Sequence, residues 1–285
     1  MRTLAAALLL IAFPCGAGAA FNLESLGRQL LGPPASSTPQ PAPEQKPESP
    51  GLVLDVSEED EIRAGQEVAT NLLGAAPLVE DEGLQRYVST LGRWIALQTE
   101  RPKLPWRFGV IDSMDVNAFA CPGGYVLVTK GLYAKLTDES ELAGVLAHEI
   151  SHVIRRHYVD LMRKQSALAL GASFLETTLR KEKTQVVKNL VGSGAEIFAR
   201  SLDKSAEFEA DRTAVVLAAR AGYDPYGLPA VLQKLEALAA TDSTVALLFK
   251  THPDPATRLA RLSEAMGERL DAYGAGGGGA LYRLQ

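Results

Sequence analysis

Ala147-His148-Glu149-Ile150-Ser151-His152-Val153 is the stretch on which the fold turns. Residues i and i+4 of a helix share a face, with Cβ atoms about 5–6 Å apart. Two imidazoles so placed can close on one cation, at bond lengths of about 2.0–2.1 Å for zinc. Glu149 flanks that ion without binding it and is positioned to take a proton from a water the ion activates. The pattern is short and recurs by chance, so its surroundings must decide. It has to lie on a helix, and it needs a third ligand.

The helix is written into the flanking residues. Asp138, with Glu141 three positions on, predicts an N-terminal capping box with acidic residues at the positive end of the dipole. Leu142, Val145, Leu146, Ile150 and Val153 recur at helical spacing, and His148 and His152 share their inward stripe. Arg155, Arg156, Arg163 and Lys164 supply cations toward the far end.

For the third ligand, one arrangement fails on spacing. His-Glu-x-x-His-x-x-Gly-x-x-His would need glycine at 155 and histidine at 158, where the chain has Arg155 and Tyr158. His157 is one residue out of step and is expected behind the ligands or on the helix surface. A carboxylate from a separate helix is the alternative. In Ser205-Ala206-Glu207-Phe208-Glu209-Ala210-Asp211-Arg212, Glu207 and Asp211 share a face and Glu209 lies nearly opposite. Either Glu207 binds the ion with Asp211 hydrogen-bonded to a ligating imidazole, or the stretch is an acidic, solvated helix face. Spacing leaves both open.

Taken together, His148-Glu149-Ile150-Ser151-His152 and Glu207-x-x-x-Asp211 resemble the HtpX/CAAX-prenyl-protease type of zinc metallopeptidase, the gluzincins, in its soluble periplasmic, BepA-like branch. Three further segments resemble that family in the same order: Asn117-Ala118-Phe119-Ala120-Cys121-Pro122-Gly123-Gly124, Ala221-Gly222-Tyr223-Asp224-Pro225 and Thr251-His252-Pro253-Asp254-Pro255. The likeness runs from about residue 55 to 270. It implies one zinc ion held by His148, His152 and Glu207, Glu149 as catalytic base, and Asp211 behind the site. Cys121 departs from the small or aliphatic residue expected there.

Two β-rich runs, Trp106–Ile111 and Tyr125–Thr129, predict a small sheet beside the His-Glu-x-x-His helix. An edge strand there could pair with an extended peptide. The resemblance makes Asn117, Gly123, Gly124 and Tyr125 candidate substrate-binding residues. His252 is a candidate to stabilise an oxyanion, or to bind the ion and shut the site off, as the resemblance implies. Tyr223 is a second candidate oxyanion partner. The expected fold class is α+β, predominantly helical and zincin-like.

Around this core the sequence divides simply. Residues 1–20 combine a charged start, an apolar run from Leu4 to Phe13 and small residues after it, the pattern of a secretory signal peptide. Pro14 and Ala12 argue against a lipid-anchoring motif at Cys15. A Pro-rich, disordered linker is expected at 21–51, the zinc metallopeptidase domain at 52–273 and a flexible Gly-rich tail at 274–285. Two apolar runs between Lys164 and Asp203 are too short to span a membrane and are expected as a helical hairpin. Two cysteines, one of them in the leader, leave no disulfide framework. A net charge of −5 argues against a nucleic-acid partner.

The functional expectation is a zinc-dependent endopeptidase of the bacterial periplasm, acting on unfolded or misassembled envelope proteins, with peripheral contact to the outer membrane or its assembly machinery. The alternatives are a zinc-containing chaperone or binding module with little or latent proteolysis, and a metal-stapled interaction domain. Glu149 favours the first, because a structural zinc site closes with four ligands and needs no base.

Overall fold

The computed structural model describes residues 56–164, 202–239, 241–252, 254–274 and 279–283. The signal-peptide and linker calls and the hairpin call lie outside the described residues.

The described residues open with helix α1 (Glu58–Ala75), whose first turn is capped by the Ser57 hydroxyl accepting from the Asp60 amide. Helix α2 (Glu82–Ala96) is capped in the same way by Asp81. Strands β1 (Arg107–Ile111), β2 (Ala118–Cys121) and β3 (Tyr125–Thr129) form a sheet in the order β1-β3-β2. β1 runs parallel to β3, with Val110 opposite Val128, and β2 runs antiparallel, with Phe119 opposite Leu127. The strands are covered on both faces, which is why β3 is a continuous apolar run rather than an alternating one. β2 had not been expected as a strand. Two of its four residues are alanine, which favours strands weakly, and its pairing with β3 overrides that preference. The outer edge of β1 is bridged by the chain at 77–79, through Val79 N–H to Val110 O at 2.9 Å.

A short helix α3 (Lys130–Tyr133) leads into α4 (Glu139–Ile154), which carries the histidines. Asp138 caps it, accepting from Glu141 N at 3.0 Å. The box is not reciprocal, however. The Glu141 carboxylate reaches one residue further back, to Thr137 N at 2.8 Å, and also takes Lys234 of a later helix. Every residue of α4 from Ser140 to Ile154 is buried, so α4 is the central helix of the molecule. Leu142, Leu146 and Ile150 are fully buried, each contributing about 1.5–3 kcal/mol of transfer free energy.

Helix α4 stops at Ile154 because Arg156 adopts a left-handed backbone, φ 59°, after which residues 157–164 are helical again. This conformation is costly for a residue with a side chain. It is held by the Arg156 guanidinium, which donates to Val56 O at 2.6 Å and pairs with Glu61 at 3.0 Å. Glu61, fully buried on α1, also takes both terminal nitrogens of Arg101 and the Gly123 amide. Arg101 in turn donates to Val153 O at 3.3 Å, a carbonyl of the last turn of α4. One carboxylate thus ties α1, the Pro-Gly-Gly turn and the end of α4 together.

Helix α5 (Lys204–Ala221) packs along α4 and ends in Gly222, φ 89°, a left-handed C-cap. Helix α6 (Gly227–Leu238) crosses the start of α4. The crossing is close: a Cβ on Gly144 would lie 2.6 Å from Leu228 N. Helices α7 (Ala246–Thr251) and α8 (Pro255–Met266) follow, with His252 in the bend between them. Residues 279–283 lie against the start of α4 and against α2. Gly279 O accepts from Glu139 N at 3.0 Å, and Tyr282 stacks on Tyr87 while its hydroxyl donates to Asp81 at 3.1 Å. Among the described residues, no helix is long and apolar enough to cross a membrane.

Candidate metal centre

The α4–α5 pair brings the two sequence motifs face to face. The Nε2 atoms of His148 and His152 lie 3.0 Å apart. The Glu207 carboxylate completes the triangle, with one oxygen 3.6 Å from His148 Nε2 and the other 3.6 Å from His152 Nε2. All three side chains are buried. For a tetrahedral ion with bonds of about 2.0 Å, neighbouring ligand atoms should be roughly 3.3 Å apart. The observed edges straddle that value.

Each imidazole is oriented from behind. His148 Nδ1 sits 3.0 Å from Asp211, and His152 Nδ1 sits 2.9 Å from His157 Nδ1. His157 leads on to Glu209 at 3.6 Å, which also pairs with Arg155. With these contacts on Nδ1, both rings can carry their proton there and leave the Nε2 lone pairs facing inward. His157, out of register for a ligand, thus lies directly behind His152, a candidate ligand.

Arg258 is the residue that sequence reasoning left without a role. It is buried and grips Asp211 in a two-pronged pair, Nε to Oδ2 at 2.9 Å and Nη2 to Oδ1 at 2.6 Å, and reaches Glu207 at 3.2 Å. A signal existed: Arg258 stands in step with Leu262 and Met266 on the buried stripe of α8. An arginine on such a stripe needs a carboxylate partner.

His252 joins the cluster from the opposite side. Its Nδ1 lies 3.0 Å from Glu207 Oε1, and its Nε2 is 3.8 Å from Glu149. Ligand atoms of His148, His152, Glu207 and His252 all fall within 4.8 Å of one another. Three buried polar atoms nearby lack protein partners: His252 Nε2, Glu149 Oε2 and Asn117 Nδ2. Asn117 is held beside His252 through its Oδ1, which accepts from Thr251 at 3.3 Å.

The electrostatics fit a divalent cation. Glu149, Glu207 and Asp211 are buried carboxylates, and Arg258 is the buried guanidinium among them. With all three ionised and the imidazoles neutral, two negative charges would be left for an ion to neutralise. Burial opposes the ionisation of Glu207, but His252 and Arg258 outweigh it and hold its carboxyl well below the usual range. Burial likewise opposes Asp211, and Arg258 holds it down. Burial and Arg258 work against a cation on His148, yet hydrogen bonds to Asp211 and Glu207 prevail and lift it to about 9. A charge pattern that attracts a proton there also attracts a metal ion. Burial, followed by the neighbouring His148, pushes His152 well below its ordinary value, so its ring is neutral. Burial raises the Glu149 carboxyl, opposed by His252 and His148.

Other expected site residues are not in this cluster. Gly123 and Gly124 pack beneath α1 and Trp106, in a turn where both have positive φ. A Cβ on Gly123 would collide with the Ile62 backbone, so these glycines shape the junction with α1 rather than line an open peptide path. Tyr125 is half-buried at the start of β3. Tyr223 stands at the far end of α5, where burial and Glu139 raise its hydroxyl pKa. Glu139 opens α4 and the histidines close it, which removes Tyr223 from the site. Cys121 is fully buried, and burial raises its thiol.

Comparison with known proteins agrees with this geometry. Residues 82–266 match the model of Peptidase family M48. The chain is 34% identical over 218 residues to the beta-barrel assembly-enhancing protease of Yersinia pestis, covering 74% of this chain and 44% of that protein. It is 33% identical over 220 residues to the protein of the same name from Escherichia coli (strain K12), with the same coverage. It is 27% identical over 223 residues to the mitochondrial metalloendopeptidase OMA1 of Arabidopsis thaliana, covering 76% of this chain and 44% of that one. The chain therefore spans less than half the length of these relatives.

Proposed function

The chain belongs to peptidase family M48, and on that premise we propose that it is a zinc-dependent endopeptidase of the bacterial periplasm, acting on unfolded or misassembled envelope proteins. The observation that carries this reading is the triangle of His148 Nε2, His152 Nε2 and the Glu207 carboxylate, with edges of 3.0, 3.6 and 3.6 Å, beside a buried Glu149 oxygen that has no partner. Two imidazoles and a carboxylate are a donor set suited to zinc.

His148, His152 and Glu207 would hold the ion, Asp211 and His157 fixing the two rings. When bound, zinc supplies Lewis acidity, which polarises a peptide carbonyl and acidifies water. Glu149 receives the proton from the attacking water and returns it to the leaving amine. Its burial supports this role, since a raised carboxyl pKa matches both halves of that exchange. Asn117 Nδ2, buried and without a hydrogen-bond partner, is assigned to donate toward the oxygen on which charge develops, and His252 is assigned the same role through whichever ring nitrogen carries its proton. The substrate is assigned to β2, the edge strand beside α4, as an added strand held by main-chain hydrogen bonds. That mode tolerates many side chains and so suits unfolded polypeptides.

The names of the relatives, a beta-barrel assembly-enhancing protease and a metalloendopeptidase, support both the reaction and the envelope setting. Contact with the outer membrane or its assembly machinery is part of the same proposal. The peptidase domain is assigned to 52–273, after a cleaved leader at 1–20 and a linker at 21–51. A second reading, a zinc-containing chaperone or binding module with latent proteolysis, is favoured by one contact. His252 lies within the ligand cluster and could fill the position that solvent needs.

Hydrolysis of casein by the purified mature protein separates the two. Activity abolished by Glu149→Gln, with zinc retained, is expected of the endopeptidase. Equal rates in both proteins would rule out the mechanism.

A further inference from the structure

Between α5 and α8 lies a cleft of about 540 Å³ that the peptidase reading does not use. Four arginines border it: Arg212, Arg258, Arg261 and Arg269. Asp211 and Glu264 are the carboxylates on its walls, while Phe208, Leu262 and Ala265 supply an apolar side. The volume is in the range of small-molecule sites, and the charge balance is strongly positive.

Those charges differ in how far they are already engaged. Arg258 is committed to Asp211 and Glu207. Arg261 lies over the Phe208 ring at 6.0 Å, and its pairing with Glu264 is a long 3.8 Å contact between exposed side chains. Arg269 gives one hydrogen bond, to the Ala265 carbonyl at 2.6 Å, and keeps the rest of its fork. Arg212 is the informative one. It is half-buried, its Nε is buried, and that atom has no hydrogen-bond partner. Carboxylates do stand on its other side, in a neighbouring cleft lined by Asp160, Asp203 and Glu209. Each already meets another group, Asp160 with Arg163 at 3.2 Å, Asp203 with the Ser205 amide at 3.0 Å and Glu209 with Arg155 at 3.2 Å, and none of them accepts from Arg212 Nε. A buried guanidinium nitrogen without an acceptor is costly. An acceptor from outside would remove that cost.

We infer that this cleft is a binding site for a phosphate-bearing anion, held by the forks of Arg212 and Arg269, with Arg261 closing over it from its position on Phe208. Planar guanidinium groups match phosphate oxygens in pairs. The apolar wall suits the ester-linked part of an organic phosphate. Soluble phosphate and the headgroup of an anionic phospholipid share this chemistry. The cleft adjoins the metal centre, sharing Asp211 and Arg258 as wall residues, and the anion is assigned to the three arginines that do not support His148.

Calorimetric titration of the full chain with inorganic phosphate tests the site directly. Saturable binding is expected, weakened by about tenfold or more in Arg212→Gln, the order of one charged hydrogen bond lost. Arg269→Glu, at an exposed position, should weaken it as well, and Arg86→Ala, a remote exposed arginine, should not. Flotation with phosphatidylglycerol and with phosphatidylcholine vesicles separates the sources. Retention on the anionic vesicles alone, lost in Arg269→Glu, assigns the site to a lipid headgroup, while phosphate binding without vesicle retention assigns it to a soluble anion. Absence of both, or affinities that the Arg212 and Arg269 substitutions leave unchanged, overturns the inference.

Discussion

Arg258 holds Asp211 through two parallel hydrogen bonds of 2.6 and 2.9 Å, and Asp211 holds His148 Nδ1 at 3.0 Å. A guanidinium on α8 therefore sets the orientation of an imidazole on α4, 110 residues earlier in the chain. Arg258→Lys keeps the charge and loses the fork. Zinc affinity is expected to fall about 10–100-fold, the usual effect of removing a group that supports a ligand. Arg258→Ala strands Asp211 and should destabilise the fold by about 3–5 kcal/mol. Equilibrium dialysis and urea unfolding check the two outcomes, and unchanged zinc affinity in the lysine variant would show that the fork does not matter.

His157 makes the matching contact behind His152, at 2.9 Å. It stands at the start of a new helical turn, between His152 and Glu209, and its contacts are polar. His157→Ala should weaken zinc binding by about 10–100-fold while leaving the thermal midpoint of the metal-free protein nearly unchanged. An equal loss of stability and affinity would instead make His157 a packing residue.

Glu61 carries the largest load far from the metal. Removing its carboxylate leaves Arg101, Arg156 and the Gly123 amide without their shared acceptor. Glu61→Ala is expected to cost about 3–5 kcal/mol, read from denaturant unfolding. A cost below about 1 kcal/mol would mean that the network is no stronger than surface pairs.

Tyr282 tethers the end of the chain. Its ring stacks on Tyr87 at 5.9 Å, and its hydroxyl reaches Asp81 at 3.1 Å. Tyr282→Ala should cost about 1–3 kcal/mol, a stacked pair and one hydrogen bond together. Hydrogen exchange at Glu139 N–H, bonded to Gly279 O at 3.0 Å, should then quicken. Unchanged protection there would show the tail to be loosely held.

Much of the metal site could be read from local pattern because its geometry is local. His148 and His152 are one helical turn apart, and Asp138 announces where that turn series begins. Glu207 and Asp211 repeat the same spacing, yet spacing could not choose between a ligand and a solvated acid. The packing of α5 on α4 buries Glu207 beside the two histidines, which excludes the solvated face and leaves it a candidate ligand. Arg258 and His157 carry no local signature beyond a charge or ring on a buried stripe. Their partners lie on other helices or across a helix break, and the left-handed Arg156 that makes the break has no sequence signal of its own. β2 was hidden because Ala118 and Ala120 carry little strand preference. The seating of Tyr282 was not legible because its partners, Tyr87 and Asp81, lie near the start of the described residues. Gly123 and Gly124 were legible as a special turn, but not as one turned toward α1.

Glu207, and not Glu209 two residues on, is proposed to share a zinc ion with His148 and His152. Elemental analysis of the dialysed wild-type protein, Glu207→Ala and Glu209→Ala measures this directly. About one zinc per chain is expected in the wild type and in Glu209→Ala, and almost none in Glu207→Ala. Full zinc content in Glu207→Ala, or equal losses in both variants, would contradict the site described above.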